Sequence, residues 1–336
     1  MKELITAVSL LYSIPVTRIV SLKDEKVFTV FAKKERFVLK LLGYPAMETA
    51  FITDAMNYLS AGGFHDFNEI IPTAGGKPFG RWKQKLTLLT KELKGRSPSY
   101  KNPKDTAAVA AYLGRLHNAA SHFFPLHPYG ERMKWGKMIE TMEKGGDDLV
   151  FLARALEGKS EAEKDDFDRA FLCHREHAIE EARLAAEALR CFYPVLSERK
   201  RNEGGFCHHD PAHHNFLIDG GGNVGAFDFD YAIADVKTHD LAALMLKVLK
   251  ANRWNALPAL KAAEHYLAET AVEREELWYL YELLAYPYDF HHAVFARYVE
   301  HNHGRRIEKK LFRLVRDEEK RQTALKEIKT ALGVMI

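Results

Sequence analysis

Residues 206–230 read FCHHDPAHHNFLIDGGGNVGAFDFD, and this pattern decides how the rest of the chain is interpreted. Two short apolar runs, 216–218 and 224–227, flank the glycine-rich segment 219–223. Glycine and asparagine tolerate the positive φ angles that a tight turn requires, so the pattern predicts a β-hairpin. A hairpin brings its two ends together, and polar residues stand at both of these ends.

Three of those polar residues suggest a chemistry. Asp210 and Asn215 come before the hairpin and Asp228 comes directly after it. We expect Asn215 and Asp228 to be neighbours, with Asp210 close by. Phosphoryl transfer needs a carboxylate that accepts or orients the hydroxyl proton, and oxygen ligands that hold Mg²⁺ on the phosphates. The pattern therefore predicts Asp210 as the catalytic base, and Asn215 and Asp228 as the metal ligands.

The same stretch permits two other interpretations. One is a hairpin with ordinary turn residues and no chemistry. The other is a zinc or transition-metal site built from the histidines at 208, 209, 213 and 214. Their spacing matches neither H-E-x-x-H nor a site with a cysteine pair. Histidines in such a loop more often form structural hydrogen bonds, so a nucleotide-dependent reaction is favoured over a zinc site.

The order of these motifs resembles a known family. H-x-D-x-x-x-x-N starts at His208, D-F-D follows the hairpin at Asp228, and T-H-D-L occupies 238–241. This order is similar to the aminoglycoside phosphotransferase and choline kinase superfamily, and especially to its spore-coat CotS-like branch. The resemblance implies an α+β, two-lobed, protein-kinase-like fold. Residues 1–92 would form a small antiparallel-sheet lobe that binds nucleotide, and residues 93–336 a large helical lobe with the catalytic and metal loops. It also implies Mg²⁺, with ATP or GTP as co-substrate.

A lysine in the third predicted strand is the next candidate. Lys40 lies between apolar residues of the segment 36–42. The resemblance implies that Lys40 points into the cleft and binds the nucleotide phosphates; the alternative is a lysine on a solvated strand face. Glu48 and Asp54, in the predicted helix 46–61, are candidate partners for Lys40, and neither is assigned.

The segment K-E-L-K-G-R at 91–96 resembles the hinge of the CotS-like group. The resemblance implies that the backbone at Lys91 and Leu93 hydrogen-bonds adenine, although Lys91 and Glu92 replace the usual acidic and aromatic residues. A plain polar linker is the alternative. The predicted turn 21–26 lacks the glycines that often bind phosphate in such lobes. A catalytically weak or inactive spore-coat scaffold therefore stays open as a second hypothesis.

Composition sets the outer limits. The chain has 336 residues, and 47% of them are hydrophobic. Its formal net charge is only +3, which predicts no electrostatic field strong enough to attract nucleic acid or a membrane surface. We expect no membrane-spanning helix and no signal peptide. Cys173, Cys191 and Cys207 form no close pair, so a reduced cytoplasmic compartment is the default. The resemblance adds deposition on the spore coat and coat proteins as candidate partners.

The expected acceptor is a hydroxyl group of a small molecule or protein whose identity the sequence does not indicate. Acids and bases are nearly balanced along the predicted helices, so no acidic pocket for a polycationic antibiotic can be inferred. Asp240 is expected, by resemblance, to cap the following helix and to brace the loop near His208. His117 is expected to be a packing residue.

Apolar periodicity predicts the remaining elements. Strands are expected at 17–22, 27–32, 36–42, 67–72 and 85–90. Helices are expected at 3–13, 46–61, 106–123, 129–144, 147–156, 160–193, 241–250, 256–267, 274–285 and 306–332.

Overall fold

The computed structural model describes residues 1–127 and 129–334. The helices are α1 Lys2–Tyr12, α2 Ala46–Ala61, α3 Pro103–Ala119, α4 Met138–Glu157, α5 Asp166–Arg190, α6 Tyr193–Glu203, α7 Thr238–Ala251, α8 Ala256–Glu269, α9 Arg274–Ala285, α10 Tyr288–Tyr298 and α11 Arg305–Leu332. The strands are β1 Arg18–Lys23, β2 Val27–Ala32, β3 Glu35–Leu42, β4 Gly80–Trp82, β5 Lys85–Lys91, β6 Phe216–Ile218 and β7 Val224–Ala226.

The first lobe is an antiparallel sheet with the strand order β1-β2-β3-β5-β4. Leu39 and Leu41 are buried on the face of the sheet that packs with α1. Successive side chains of a strand point to opposite faces, so Lys40 lies on the other face. Its register partners are Val27 on β2 and Leu88 on β5, in the middle of the sheet.

The second lobe is helical, with α3, α7 and α8 packed around one core. Asn102 accepts a hydrogen bond from the Lys104 N–H at 3.0 Å, which caps α3 where the chain enters this lobe. The α+β architecture, a small antiparallel sheet and a large helical lobe, is thereby confirmed.

The predicted hairpin is present as β6 and β7, with Leu217 opposite Gly225. The Asp219 carboxylate accepts hydrogen bonds from the N–H groups of Gly221 and Asn223, at 2.8 and 2.9 Å, and so closes the turn. Phe216 and Ala226 are fully buried. The hairpin is therefore a rigid part of the helical lobe's core.

The predicted strand at 67–72 is wrong. This segment forms only isolated bridges, from Phe67 to Ala226 and from Ile70 to Thr90. It crosses from the hairpin to β5, and its backbone bonds are divided between two sheets, so no continuous ladder develops. The short strand β4, with three residues, gave too little alternation to be predicted.

Helix boundaries between 129 and 203 also differ from the prediction. Gly130 and Gly136 have positive φ angles of 54° and 80°, which stop a helix before α4 begins. Gly145 and Gly146, by contrast, do not interrupt α4, which continues through them. The helix predicted at 160–193 is present as the shorter α5, and α6, which begins at Tyr193, was not predicted.

The last two helices close the lobe. The helix α10 was not predicted, and α11 runs unbroken for 28 residues against α5, α8, α9 and α10. The Arg321 guanidinium on α11 binds the Glu181 carboxylate on α5 at 2.6 Å and also contacts the Ala285 carbonyl. Within the described part of the chain, no helix is long and apolar enough to cross a bilayer.

Candidate functional site

One buried carboxylate, that of Asp240, holds the loop 207–215 in place. Asp240 accepts hydrogen bonds from the N–H groups of His208 and His209, both at 2.7 Å, and from Nε2 of His117 at 3.1 Å. Burial opposes ionisation of Asp240, but the hydrogen bond and charge of His117, with His208 and His209, lower its pKa to about 2. Asp240 thus braces the loop as an ionised group.

The second role expected of Asp240, capping the next helix, is wrong. Asp240 lies inside the first turn of α7, and its oxygens point to the loop instead of the helix N–H groups. His208 connects this loop to the segment after β7, because its Nε2 donates to the Phe227 carbonyl at 3.0 Å and its ring packs on Phe229. His117 is a buried packing residue, with its Nδ1 2.7 Å from the Tyr266 hydroxyl.

Asp210 and Asn215 are in direct contact. The Asn215 Nδ2 donates to the Asp210 carboxylate at 2.9 Å and to the Asp210 carbonyl at 3.0 Å. The other carboxylate oxygen of Asp210 lies 3.3 Å from the Nζ of Lys247, on α7. Asp210 is therefore oriented from two sides and still partly exposed to the cleft.

Asn215 also leaves one oxygen free for a ligand. Its side chain is nearly completely buried, and its Oδ1 finds no hydrogen-bond partner among the described residues. A buried amide oxygen without a partner is costly unless something binds it. The Phe227 N–H donates to the Asn215 carbonyl at 3.0 Å, so Asp228 follows immediately beside Asn215. An amide oxygen next to a carboxylate suits a hard divalent cation such as Mg²⁺.

Asp228 has a left-handed backbone, with φ of 68° and ψ of 57°. Few residues other than glycine adopt this conformation, and aspartate is among those that tolerate it. The turn moves the Asp228 carboxylate out of the hairpin and toward β3. There it meets the Nζ of Lys40.

Lys40 bridges two carboxylates of the D-F-D triplet. Its Nζ contacts Asp228 and lies 2.9 Å from Oδ1 of Asp230. Burial opposes the charge on Lys40, but Asp230 and Asp228 together raise its pKa. Lys40 also lowers the pKa of Asp228 against the opposing effect of burial. The lysine thus points into the cleft, and the alternative of a solvated strand face does not describe it.

Neither candidate partner of Lys40 contacts it. Glu48 pairs with the Arg132 guanidinium at 2.8 Å, and Asp54 accepts a hydrogen bond from the Tyr129 hydroxyl. Arg132 also donates to the Asp230 carbonyl at 2.7 Å, which fixes the backbone beneath the triplet.

Sequence reasoning missed Asp230, Arg132 and Lys247. Asp230 had a signal, because it is the second carboxylate of D-F-D. Arg132 and Lys247 had none, since each reaches the site from a different segment of the chain.

The linker after β5 is docked on the hairpin. Arg96 and Ile218 exchange backbone hydrogen bonds of 3.0 and 2.8 Å, and a side chain on Gly95 would meet the Ile218 carbonyl at 2.6 Å. The Lys91 N–H already donates to the Glu69 carbonyl at 2.9 Å. The Leu93 N–H has no acceptor in residues 1–127 and 129–334. Lys91 thus retains only its carbonyl, and Leu93 its N–H, for a ligand.

The turn between β1 and β2 differs from a phosphate-binding glycine loop. Asp24 and Glu25 occupy its tip with φ angles of 47° and 50°. The Lys26 N–H donates to the Lys23 carbonyl at 2.9 Å and closes the turn. Two carboxylates stand where glycines would allow the backbone to approach a phosphate.

The histidine zinc site does not assemble. Among the residues that the structure describes, no three of the four loop histidines bring nitrogen atoms to a common point. His209 is half-buried, and desolvation together with the neighbouring His239 lowers its pKa to about 4. His213 and His214 are exposed.

Comparison with known proteins gives consistent matches. A family model described as "Phosphotransferase enzyme family" matches residues 19–278. An aminoglycoside phosphotransferase from Alicyclobacillus acidocaldarius subsp. acidocaldarius DSM 446 has a similar structure, with a TM-score of 0.82 at 21% identity; the match covers 95% of this chain and 93% of that chain. No curated protein sequence matches the chain.

Two further solved structures contain ligands. Spectinomycin phosphotransferase APH(9)-Ia with ADP and spectinomycin has a TM-score of 0.68 at 14% identity, covering 96% of this chain and 98% of that chain. The amicoumacin kinase hAmiN with AMP-PNP, Ca²⁺ and Ami has a TM-score of 0.62 at 16% identity, covering 96% and 93%. At such identities these structures establish the fold, and the predicted kinase-like fold is confirmed.

Proposed function

This chain belongs to the phosphotransferase enzyme family, and we propose that it transfers the terminal phosphate of ATP or GTP to a hydroxyl group of a small molecule or protein. The observation that supports this most directly is the Asn215 side chain. Its nitrogen holds Asp210, while its buried oxygen is left without a partner beside Asp228. One amide therefore connects a base to a metal site.

Each residue then has a separate task. Asp210 accepts or orients the hydroxyl proton of the acceptor. Lys40 exchanges its two carboxylates for phosphate oxygens. Asn215 and Asp228 would hold Mg²⁺, which would supply positive charge to neutralise the phosphates.

The linker fits a purine at two backbone groups. A carbonyl at Lys91 and an N–H at Leu93 match the amino donor and the ring acceptor on the adenine edge. Guanine presents the opposite order on that edge, so these groups favour ATP over GTP. In this proposal residues 1–92 form the nucleotide-binding lobe, and residues 93–336 bind the acceptor.

Two substitutions test the proposal. Asp210→Asn is expected to lower phosphoryl transfer by ~10²–10⁴-fold while sparing nucleotide binding, because Asp210 faces the acceptor. Asp228→Ala is expected to lose both, because the phosphates are then poorly neutralised. Turnover would be followed by ADP release in the presence of an acceptor or, without one, by slow hydrolysis. Binding of Mg-AMP-PNP would be measured by calorimetry.

A matched control is Asp166→Asn, an exposed carboxylate on α5 whose ion pair is with Arg169. It should retain both activities. Wild-type turnover in Asp210→Asn would remove the base assignment. Undiminished binding of Mg-AMP-PNP by Asp228→Ala would remove the metal assignment.

A second candidate function is a spore-coat scaffold with weak turnover or none. The observation that favours it is the β1–β2 turn, where Asp24 and Glu25 would repel a triphosphate. Localisation to the coat rests on the sequence resemblance alone. Fluorescent tagging in the organism of origin tests the coat assignment, and binding without turnover by the purified protein would favour the scaffold over the kinase.

A further inference from the structure

Three lysines of the helical lobe form a cluster that begins beside Asp210. Lys247 and Lys250 lie one helical turn apart on α7, and Lys247 Nζ is 3.3 Å from the Asp210 carboxylate. Lys250 pairs with Asp289 on α10, and Lys310 on α11 lies 3.1 Å from the same carboxylate.

Positive charge is in excess in this cluster of lysines. Three ammonium groups, those of Lys247, Lys250 and Lys310, face two carboxylates. Within the described residues, Asp210 and Asp289 are the only carboxylates at ion-pair distance from these lysines. The crowding affects the lysines themselves: burial lowers the pKa of Lys250, Asp289 opposes this, and Lys247 and Lys310 lower it further.

We propose that Lys247 selects an acceptor carrying a carboxylate or another anionic group close to the hydroxyl that is phosphorylated. This deepens the kinase function proposed above and rests on it. A hydroxyl that hydrogen-bonds one oxygen of Asp210 is only a few ångströms from the ammonium on the other oxygen. An anionic group on the acceptor gains a charge-assisted hydrogen bond there, whereas a cationic group is repelled. The site thus disfavours polycationic acceptors.

The test uses matched hydroxyl compounds that differ in charge. One set is glycerate, glycerol and 3-amino-1,2-propanediol, and a second is glucuronate, glucose and glucosamine. Phosphorylation of each by the full chain with Mg-ATP is measured as kcat/KM. We expect the anionic member to be preferred in at least one set. Preference for a cationic member, equal rates across charge classes, or failure of every anionic member overturns the inference.

Lys247→Met separates charge recognition from positioning of Asp210. It should reduce the anionic-to-neutral ratio of kcat/KM by roughly 10- to 100-fold, the range for a hydrogen bond to a charged group. Loss of Asp210 positioning alone would lower kcat/KM equally for all acceptors and leave that ratio unchanged. An unchanged ratio would therefore contradict the inference. Lys247→Arg should restore most of the ratio. Lys261→Met, on α8 and paired only with Glu264 in the described structure, should leave it unaltered.

A binding measurement distinguishes failure of this inference from failure of the proposed kinase function. Calorimetric titration of glucuronate into the nucleotide-free protein does not depend on turnover. Binding that Lys247→Met abolishes, in a protein without Asp210-dependent turnover, would contradict the proposed function and support the anion site. Absence of binding together with absence of turnover would contradict both.

Discussion

Asp240 fixes the geometry of the loop 207–215 although it touches no expected ligand. It accepts two backbone N–H groups and one imidazole within a fully buried site. An amide at this position must turn a donor toward one of those three donors. The side chain of Asn215 depends on the same loop, so a loss at Asp240 extends to the metal site.

We expect Asp240→Asn to lower the free energy of unfolding by about 3 kcal/mol at neutral pH, since hydrogen bonds to a charged group are lost. Urea unfolding measures the change. Asp317→Asn, an acid on α11 paired with Arg316, is the control and should change little. A loss as small as that of the control would mean that Asp240 does not hold the loop.

The pH dependence of the free energy of unfolding provides a second test of the role of Asp240. Its pKa is about 2 in the folded protein, below its usual value of 3.8. The stability that it contributes is therefore present above pH 3.8 and lost as the pH falls toward 2. This amounts to about 2 kcal/mol. Asp240→Asn should unfold with a shallower dependence on pH in that window, and an unchanged slope would contradict the shifted pKa.

At the scale of elements, Gly145 and Gly146 both lie inside α4 but have different surroundings. A Cβ on Gly145 would overlap the Tyr286 hydroxyl, whereas a Cβ on Gly146 would meet the Ala182 side chain at an ordinary 3.5 Å. We expect Gly145→Ala to destabilise by about 1–3 kcal/mol through overpacking. Gly146→Ala is expected to stabilise by roughly 0.5–1 kcal/mol through helix propensity.

Thermal or urea unfolding of both variants checks this expectation. The double variant Gly145→Ala with Tyr286→Phe removes the clashing hydroxyl and should recover most of the loss. Equal effects at the two glycines would show that helix propensity alone decides the outcome.

The helix α9 carries an acid that resists ionisation. Burial raises the pKa of Glu282 to about 7 from its usual 4.5. Because the folded state then binds the proton more tightly, the contribution of Glu282 to the free energy of unfolding is greatest below pH 4.5. This contribution falls as the pH rises through 7. The loss is on the order of 3 kcal/mol. Glu282→Gln should remove this fall, while Glu275→Gln on the same helix should keep it. Urea unfolding at pH 4.5 and 8 distinguishes them.

Elements with local signals were predictable and those with distant partners were not. The hairpin turn at 219–223 and the alternation in β3 follow from neighbouring residues, and both were correct. The segment 67–72 has an apolar composition typical of a strand, but its backbone bonds are shared between β5 and the hairpin. The partner of Glu48, Arg132, lies far away in sequence, which no local pattern could indicate.

For the whole molecule, ligand binding between the lobes should raise stability. At Mg-ATP roughly 100-fold above its dissociation constant, mass action adds about 2.7 kcal/mol. For a chain of this length that corresponds to roughly 4 °C in Tm. Differential scanning fluorimetry measures it, with Lys40→Met as a variant expected to respond less. A flat response to both Mg-ATP and Mg-GTP would contradict nucleotide binding and favour the scaffold.

The spatial grouping of the candidate site residues was predictable in part because their motif is continuous. Asp210, Asn215 and Asp228 lie within 206–230, and the hairpin between them fixes their order in space. The position of Lys40 in the cleft was expected from the family resemblance, on the basis of its third strand. The identity of the groups around Lys40 required the tertiary structure, because its contact with Asp230 joins the two lobes.

The ion pairs of Lys40 have a consequence for the order of events in the cleft. A triphosphate that takes Lys40 from Asp228 and Asp230 leaves two carboxylates beside its own negative charge. A divalent cation that arrives with the nucleotide relieves this repulsion. Cation and nucleotide should therefore bind cooperatively, each strengthening the other by the same factor. The free nucleotide would be excluded, and the protein would recognise the metal complex as one ligand.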